Sequence, residues 1–305
     1  MNINQEIRRI VEYQNTRLPK HDRKSKEFLE RLINEIIDSY KNKTYNFRKL
    51  KSFSIKQGTK KRRIKMFERF TTEEILCIFL KRELDRTFHI KYPNRNAFMR
   101  STFDIVSSLK NMNDFVIFKF DFLDFFNSIS SQFVLKKYIE DKIEDREFLE
   151  LLIEFVSKIK YAYAGLNTSN IICEIIAKEF DNRLWIKLAD KGVIFYKRYI
   201  DDGLIIFNRF IEEEECKEII NEVIKEIFYS SQFLSIKQCR TKLNEKKLNY
   251  IARRDLDTNE KKFNFLGYEF VFYKSLSGNS SDGKLKIKYG ITTDKIKNIT
   301  KESIP

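Results

Sequence analysis

Residues Tyr199-Ile200-Asp201-Asp202-Gly203 have the pattern of a β-hairpin tip. They lie between two runs rich in β-branched and aromatic residues, Val193 to Tyr199 and Leu204 to Phe207, which is typical of two strands joined by a tight turn. Strand alternation predicts Tyr199 and Asp201 on one face and Ile200 and Asp202 near the other. Two carboxylates at one hairpin tip can share metal ions. We expect Asp201 to be the ligand that bridges these ions and Asp202 to lie nearer the rim of the metal site.

A second acidic site, Phe120-Asp121-Phe122-Leu123-Asp124-Phe125-Phe126, follows the apolar run Phe115 to Phe120 about eighty residues earlier. Paired acids at a turn are often only solvated or capping groups, and this alternative stays open for each site taken alone. Two acidic sites carried by strands can converge to share Mg²⁺, because hard carboxylate oxygens suit that ion. Together they predict a two-metal centre for phosphoryl transfer.

The composition restricts the class of protein. The 305 residues include 28 Phe and 14 Tyr but only 3 Pro and 8 Gly, which predicts a packed core without long linkers. The four cysteines form no CxxC pair, so reduced thiols are expected rather than a zinc site. With no apolar window of about 18 residues and no apolar stretch near the N-terminus, we expect a cytoplasmic protein with no membrane partner.

The positive charge is concentrated at the start of the chain. The formal net charge is +15, and residues 1–65 carry 19 Lys and Arg against 7 Asp and Glu. A concentrated basic surface is typical of a protein that binds a polyanion such as nucleic acid. The alternative is a solvated surface in a chain that is lysine-rich throughout.

The order of elements predicts an α+β fold. Apolar spacing in 26–40 indicates an amphipathic helix, and Thr71-Thr72-Glu73-Glu74 indicates a capping box before a helix over 75–88. A strand at 115–122 is then followed by helices over 131–142, 145–160 and 168–190, a hairpin at 193–208, a helix near 211–229, and strands near 263–273 and 284–291. This order is that of a ferredoxin-like split β-α-β sheet with helices on one face.

Six ordered motifs resemble those of reverse transcriptases. FDFLDFFNSI at 120–129 resembles the first catalytic motif and YIDD at 199–202 the second, while 165–170 (GLNTSN) resembles the motif that contacts template and nucleotide. Residues 265–268 (FLGY) resemble the motif that grips the primer end, 55–64 (IKQGTKKRRI) the basic fingers hairpin, and 98–101 a neighbouring fingers element. The resemblance covers residues 50–270.

This resemblance implies a right-hand polymerase fold. Its parts are a basic helical N-terminal extension (1–50), fingers (51–114), a palm containing the split sheet (115–272), and a short C-terminal strand or thumb remnant (273–305) that leaves the thumb minimal or absent. Two alternatives stay open: the thumb is minimal, or a second copy, a partner protein or a structured RNA takes its place. Mg²⁺ is the implied cofactor, and dNTPs, an RNA template or structured non-coding RNA, and the DNA product are the implied partners.

The resemblance also assigns site residues. The implied metal-binding set is Asp121, Phe122, Asp201 and Asp202, and Lys247 is the candidate to protonate pyrophosphate, with a plain surface lysine as the alternative. Leu266 and Gly267 are expected to grip the primer. The implied nucleotide-binding set is Lys56, Arg62, Phe122, Phe126, Asn167 and Ser169.

The roles of Lys56, Arg62 and Phe126 each have a purely structural alternative. Arg62 suits a triphosphate because its guanidinium can grip phosphate oxygens in a fork, and a solvated basic loop, with a turn at Gln57, Gly58 and Thr59, is the alternative for Arg62 and Lys56. Phe126 falls where the family excludes a ribose 2′-hydroxyl, and a core aromatic is the alternative.

The 165–170 motif resembles that of bacterial defence reverse transcriptases, including the abortive-infection group, although Asn167 stands where the family usually has proline. We therefore expect an RNA-directed DNA polymerase acting in antiphage defence. Three alternatives stay open: untemplated synthesis that starts from a protein hydroxyl, a retron reverse transcriptase, and a non-catalytic RNA-binding scaffold.

Overall fold

The computed structural model describes residues 3–57, 60–257, 259–275 and 284–292; the side chains of 57, 60–62, 257 and 275 lie outside this description. Helices and antiparallel strands are mixed along the chain. The helices are α1 (Ile3–Thr16), α2 (Lys26–Lys41), α3 (Thr72–Phe88), α4 (Arg95–Ser108), α5 (Phe125–Ser128), α6 (Ser131–Val134), α7 (Arg146–Lys158), α8 (Ser169–Leu188) and α9 (Glu213–Phe228). The strands are β1 (Lys51–Gln57), β2 (Lys60–Met66), β3 (Val116–Asp121), β4 (Val193–Tyr199), β5 (Asp202–Phe207), β6 (Asn249–Ala252), β7 (Lys261–Phe265), β8 (Tyr268–Ser275) and β9 (Lys284–Ile291).

The chain forms two compact units. The first contains Met1–Lys91, Phe126–Ala177 and Phe228–Arg240, and the second contains Tyr92–Phe125, Lys178–Ile227 and Thr241–Pro305. No helix in the described part of the chain is long and apolar enough to cross a membrane.

In the first unit, helices α1, α2 and α3 pack around buried aliphatic side chains such as Ile7, Ile10 and Ile33. The two predicted helix starts are confirmed, because Ser25 caps α2 and the Thr71 hydroxyl accepts a hydrogen bond from the Glu74 N–H at 3.3 Å. The basic hairpin β1–β2 is also present. Its predicted turn residues Gly58 and Thr59 lie outside the described residues.

The helix expected over 131–142 is not continuous. Helix α6 ends at Val134, and one π-helical turn, Leu135–Ile139, continues the chain. The apolar spacing in this segment therefore marks buried residues, but the backbone changes its hydrogen-bonding pattern between them.

The second unit contains a four-stranded antiparallel sheet with the strand order β4-β5-β3-β6. In chain order this is strand, helix α8, hairpin, helix α9 and strand, which is the arrangement of a split β-α-β sheet. On one face the ring of Phe120 contacts Phe180 of α8, at 6.3 Å between centroids. Helix α9 lies beside α8, since Lys187 and Glu222 form an ion pair at 2.8 Å.

The opposite face of this sheet is covered by α4 and a second sheet. Ile117, Leu204 and Ile206 form one apolar core with residues of α4 and of a three-stranded sheet of order β7-β8-β9. The fold thus has a further layer that the order of elements along the chain did not predict.

Two strand assignments from the sequence are wrong. The strand expected near 263–273 is interrupted by a turn at Leu266 and Gly267, whose φ angles are 47° and 81°, so it is the hairpin β7–β8. The last strand of the four-stranded sheet is instead β6, only four residues long. Its sequence Asn249-Tyr250-Ile251-Ala252 is too short to give a clear period of two.

Candidate active site

The YIDD sequence forms the tip of the β4–β5 hairpin. Tyr199 pairs with Asp202, and Ile200 and Asp201 make the two-residue turn between them. Ile200 has a φ of 59°, which is unusual for a β-branched residue. The guanidinium of Arg198 donates to the Ile200 carbonyl at 2.7 Å and also binds the Asp181 carboxylate of α8, which holds the turn in this conformation.

The expected alternation across YIDD is wrong because the turn interrupts it. Asp202 is the first residue of β5 and lies directly opposite both Tyr199 in β4 and Asp121 in β3. It therefore shares a face with these two residues, rather than pointing away from Tyr199. Asp201 belongs to the turn itself.

The three predicted acids converge. The Phe122 N–H donates to the Asp201 carbonyl at 3.0 Å, which ties the end of β3 to the hairpin tip. One carboxylate oxygen from each of Asp121, Asp201 and Asp202 lies within 4.8 Å of the other two. We call these three residues the acid cluster.

Basic and amide groups surround the cluster. Asp121 is buried, and its carboxylate accepts hydrogen bonds from Asn244 Nδ2 at 2.9 Å and Lys247 Nζ at 2.6 Å. Lys119 Nζ lies 3.2 Å from Asp202 Oδ1. Two ammonium groups thus face three carboxylates, and negative charge remains in excess.

This excess shows in the proton affinities. Burial, followed by the neighbouring carboxylates of Asp202 and Asp121, raises the pKa of Asp201 to about 6. Burial lowers the pKa of Lys247, but its hydrogen bond to Asp121 and the charges of the three acids outweigh this effect, so the pKa is raised. Lys247 is thus charged and in contact with the cluster, although 45% of its side chain remains exposed.

The donor set of the acid cluster fits a divalent cation. Three carboxylates that repel one another offer hard oxygen ligands at one point, which is the chemistry that Mg²⁺ requires. Phe122 could contribute only a main-chain atom, since its side chain has no donor and its ring stacks on Phe125 at 5.1 Å.

The other predicted nucleotide-binding residues belong to the first unit. Lys56 is exposed on β1, Arg62 lies on β2 with a side chain outside the description, and Phe126 is half-buried on α5. Asn167 is exposed beside a cavity of about 240 Å³. Ser169 is buried and its hydroxyl donates to the Tyr163 carbonyl, so this hydroxyl fixes the loop ahead of α8.

The predicted primer-grip residues Leu266 and Gly267 form the β7–β8 turn in the second unit. Arg95 of α4 donates a hydrogen bond to the Leu266 carbonyl, and the Gly267 carbonyl accepts one from the Thr292 N–H at 3.1 Å. The turn is therefore held from both sides.

Three residues that contact the site or its turn were missed in the sequence. Lys119 could have been found, because it lies two residues before Asp121 and alternation puts both on one face. Arg198 and Asn244 carry no local signal, since their partners Asp181 and Asp121 are distant in the sequence.

Comparisons with known proteins give similarity to solved telomerases. A telomerase from Candida albicans in complex with a TWJ fragment of telomeric RNA is 13% identical, with a TM-score of 0.44, over 77% of this chain and 47% of that one. An apo telomerase from Candida tropicalis, truncated from its C-terminal domain, is 13% identical, with a TM-score of 0.45, over 85% of this chain and 60% of that one. The chain thus spans about half to three fifths of the length of these telomerases. No protein-family model and no curated protein matches the sequence.

Proposed function

We propose that this protein is a nucleotidyltransferase of the reverse-transcriptase type, which extends a DNA strand on an RNA template. The observation that carries the proposal is the acid cluster, in which two sequence-distant acidic sites meet at one end of a split β-α-β sheet. The six ordered motifs supply the substrate class, and the basic hairpin β1–β2 fits a polyanionic partner.

The reaction joins the strand's 3′ oxygen to the α-phosphorus of a dNTP and breaks the bond from that phosphorus to the pyrophosphate oxygen. The 3′ hydroxyl gives up its proton, and the pyrophosphate takes one up. A divalent cation held by Asp121, Asp201 and Asp202 would act as a Lewis acid and stabilise charge on the phosphate oxygens. Asn244 fixes the carboxylate of Asp121, and Lys247 holds a proton beside the cluster that can pass to the pyrophosphate.

The remaining motif residues take substrate-binding roles in this proposal. Lys56 and Arg62 bind the triphosphate, and Phe126 excludes the ribose 2′-hydroxyl. Asn167 and Ser169 position template and nucleotide, with the Ser169 hydroxyl acting through the loop that it fixes. Leu266 and Gly267 support the primer end.

Incorporation of labelled dNTPs tests the proposal. Purified full-length protein with Mg²⁺ and its co-purified RNA should extend DNA, and Asp201→Asn should reduce this at least 100-fold. The matched control is Asp104→Asn, an exposed acid on α4 in the same unit. Equal incorporation by wild type and Asp201→Asn would refute the polymerase.

We further propose that the activity serves bacterial antiphage defence, which the 165–170 motif supports through its resemblance to defence enzymes. Cells expressing the protein should resist phage, and Asp121→Asn should lose that protection. Product sequencing separates the alternatives: a copied sequence supports templated synthesis, random DNA attached to protein supports protein priming, and a linked RNA–DNA hybrid supports a retron enzyme. Full protection by the Asp121 variant would favour a scaffold.

A further inference from the structure

A pocket of about 370 Å³ lies beside the acid cluster in the second unit. Four lysines line it, Lys119 from β3, Lys246 and Lys247 from the turn before β6, and Lys262 from β7, and we call it the lysine pocket. Asn249 and Asn264 complete its polar lining. Four ammonium groups from three separate segments produce a local field that attracts an anion.

Only part of this charge is neutralised by neighbouring acids. Lys119 and Lys247 pair with Asp202 and Asp121 of the acid cluster, at 3.2 Å and 2.6 Å. Lys262 is 64% exposed and lies 3.6 Å from Glu269, and Lys246 has no ion pair within the described part of the chain. The pocket thus retains lysines available to an anion without disturbing the acid cluster.

Asn249 joins two of the segments that line the pocket. Its Nδ2 donates to the Lys262 carbonyl at 3.2 Å, but its buried Oδ1 accepts no hydrogen bond from any described residue. The phosphate oxygens of a nucleotide or of a nucleic-acid strand suit the lysines of this pocket.

The phosphate could belong to an incoming dNTP or to the strand that is extended, and the position of the pocket favours one of these two sources. One wall, Lys119 and Lys247, contacts the acid cluster, and the other, at Asn264, is two residues from the β7–β8 turn. A strand whose 3′ end reaches the acids while that turn supports it would pass through this pocket. We propose that the lysine pocket binds a backbone phosphate of the strand being extended, an inference that rests on the proposed function.

Binding of a primer–template duplex tests this proposal. The variants change Lys246 and Lys262, the two pocket lysines that do not pair with the acid cluster. Lys246→Gln/Lys262→Gln should weaken binding of a fluorescein-labelled primer–template duplex at least fivefold, by anisotropy in Ca²⁺ without dNTP. The slope of log Kd against log[KCl] should fall by about one to two, because each lost phosphate contact removes about one. The control, Lys178→Gln/Lys225→Gln, removes equal charge from exposed positions of α8 and α9 and should change Kd less than twofold.

Two further arms complete the design. Lys246→Arg/Lys262→Arg should keep Kd within twofold, and equal melting temperatures for all variants establish that folding is unchanged. Calorimetric titration of a dNTP with Ca²⁺ and no duplex should give the same affinity for wild type and Lys246→Gln/Lys262→Gln. If the dNTP affinity falls while duplex binding holds, the pocket serves the triphosphate and our inference is wrong.

The outcomes also separate this inference from the proposed function. Equal losses in the pocket and control variants, or no loss in either, would overturn the pocket even if wild type incorporates dNTPs. A selective loss of duplex binding in a wild-type background that incorporates no dNTP would leave the pocket standing and refute the polymerase.

Discussion

Position 203 is where the four-stranded sheet leaves no room for a side chain. A Cβ added to Gly203 would lie 2.1 Å from the Phe120 ring, which is its register partner across β3 and β5. That ring cannot retreat, because it packs on Phe122 and Phe180 with centroids 5.6 Å and 6.3 Å away. Gly203 therefore lets β5 approach β3 closely, one residue beyond the paired Asp121 and Asp202.

Gly203→Ala should destabilise the protein by about 3 kcal/mol, since overpacking a rigid core costs on the order of 1–3 kcal/mol. The measurement is the urea unfolding midpoint. Gly290→Ala on β9 is the matched control, because nothing lies within 4 Å of its added Cβ, and it should change stability by less than about 0.5 kcal/mol. Equal midpoints for the two variants would contradict this packing.

At the scale of the elements, the β4–β5 hairpin depends on an ion pair between buried Arg198 and partly exposed Asp181. Arg198 is 8% exposed, and its Nη2 and Nε lie 2.9 Å and 3.0 Å from the Asp181 carboxylate of α8. Its Nη1 binds the carbonyl of Ile200, the residue with the strained φ. Helix α8 thus fixes the turn that carries Asp201, and Arg198 acts as a positioning residue.

Arg198→Lys should lower kcat for dNTP incorporation about 10- to 100-fold, because one ammonium cannot grip the Asp181 carboxylate in a fork and also reach the Ile200 carbonyl, so the turn would shift. The duplex Kd should stay within threefold. The control is Arg183→Lys, also on α8, which alters an exposed ion pair with Glu226 of α9 and should leave kcat unchanged. An unchanged kcat in Arg198→Lys would show that the turn needs no such support.

The helices of the first unit contain a buried carboxylate that, unlike Asp201, is paired with two arginines. Glu6 of α1 is 3% exposed and binds Arg82 and Arg86 of α3, at 2.8 Å and 3.0 Å. Burial alone would raise the pKa of Glu6, but the hydrogen bonds and charges of the two arginines lower it below 4.5. The folded state therefore favours the ionised form.

Folding lowers the pKa of this carboxyl, so the ionised group stabilises the folded protein at any pH above the pKa that it has in the unfolded chain. This stabilisation is lost as the pH falls through the pKa that the group has in the folded protein. The difference in unfolding free energy between wild type and Glu6→Gln should thus be constant above about pH 5 and should shrink below pH 4.5. Urea unfolding between pH 3 and pH 7 measures it. A difference that grows towards low pH would contradict the sign of this shift.

At the scale of the whole molecule, local signals predicted most of the elements and the acid cluster. Periodicity and caps identified α2, α3, α8 and the β4–β5 hairpin because those segments are long or strongly patterned. The acids could be grouped because each follows an apolar strand, and adjacent strand ends bring such residues together.

Other features depend on pairings that no local pattern encodes. The four residues of β6 form a strand only because β3 offers them an edge, and the second sheet over Ile117 and Ile206 follows from packing alone. The lysine pocket likewise depends on β7 meeting β6, so its lysines resemble ordinary surface residues in the sequence. The left-handed Ile200, contrary to its β-branched preference, reversed the expected orientation of Asp202.

The central claim is that Asp121, Asp201 and Asp202 jointly bind the divalent cation that nucleotidyl transfer requires. Titration with Mn²⁺, followed by the loss of the free-ion electron paramagnetic resonance signal, tests it most directly. We predict that wild type binds Mn²⁺ and that Asp121→Asn weakens the affinity at least tenfold, about 1.4 kcal/mol, while Asp104→Asn binds as wild type does. Equal Mn²⁺ affinity in wild type and Asp121→Asn would contradict the account.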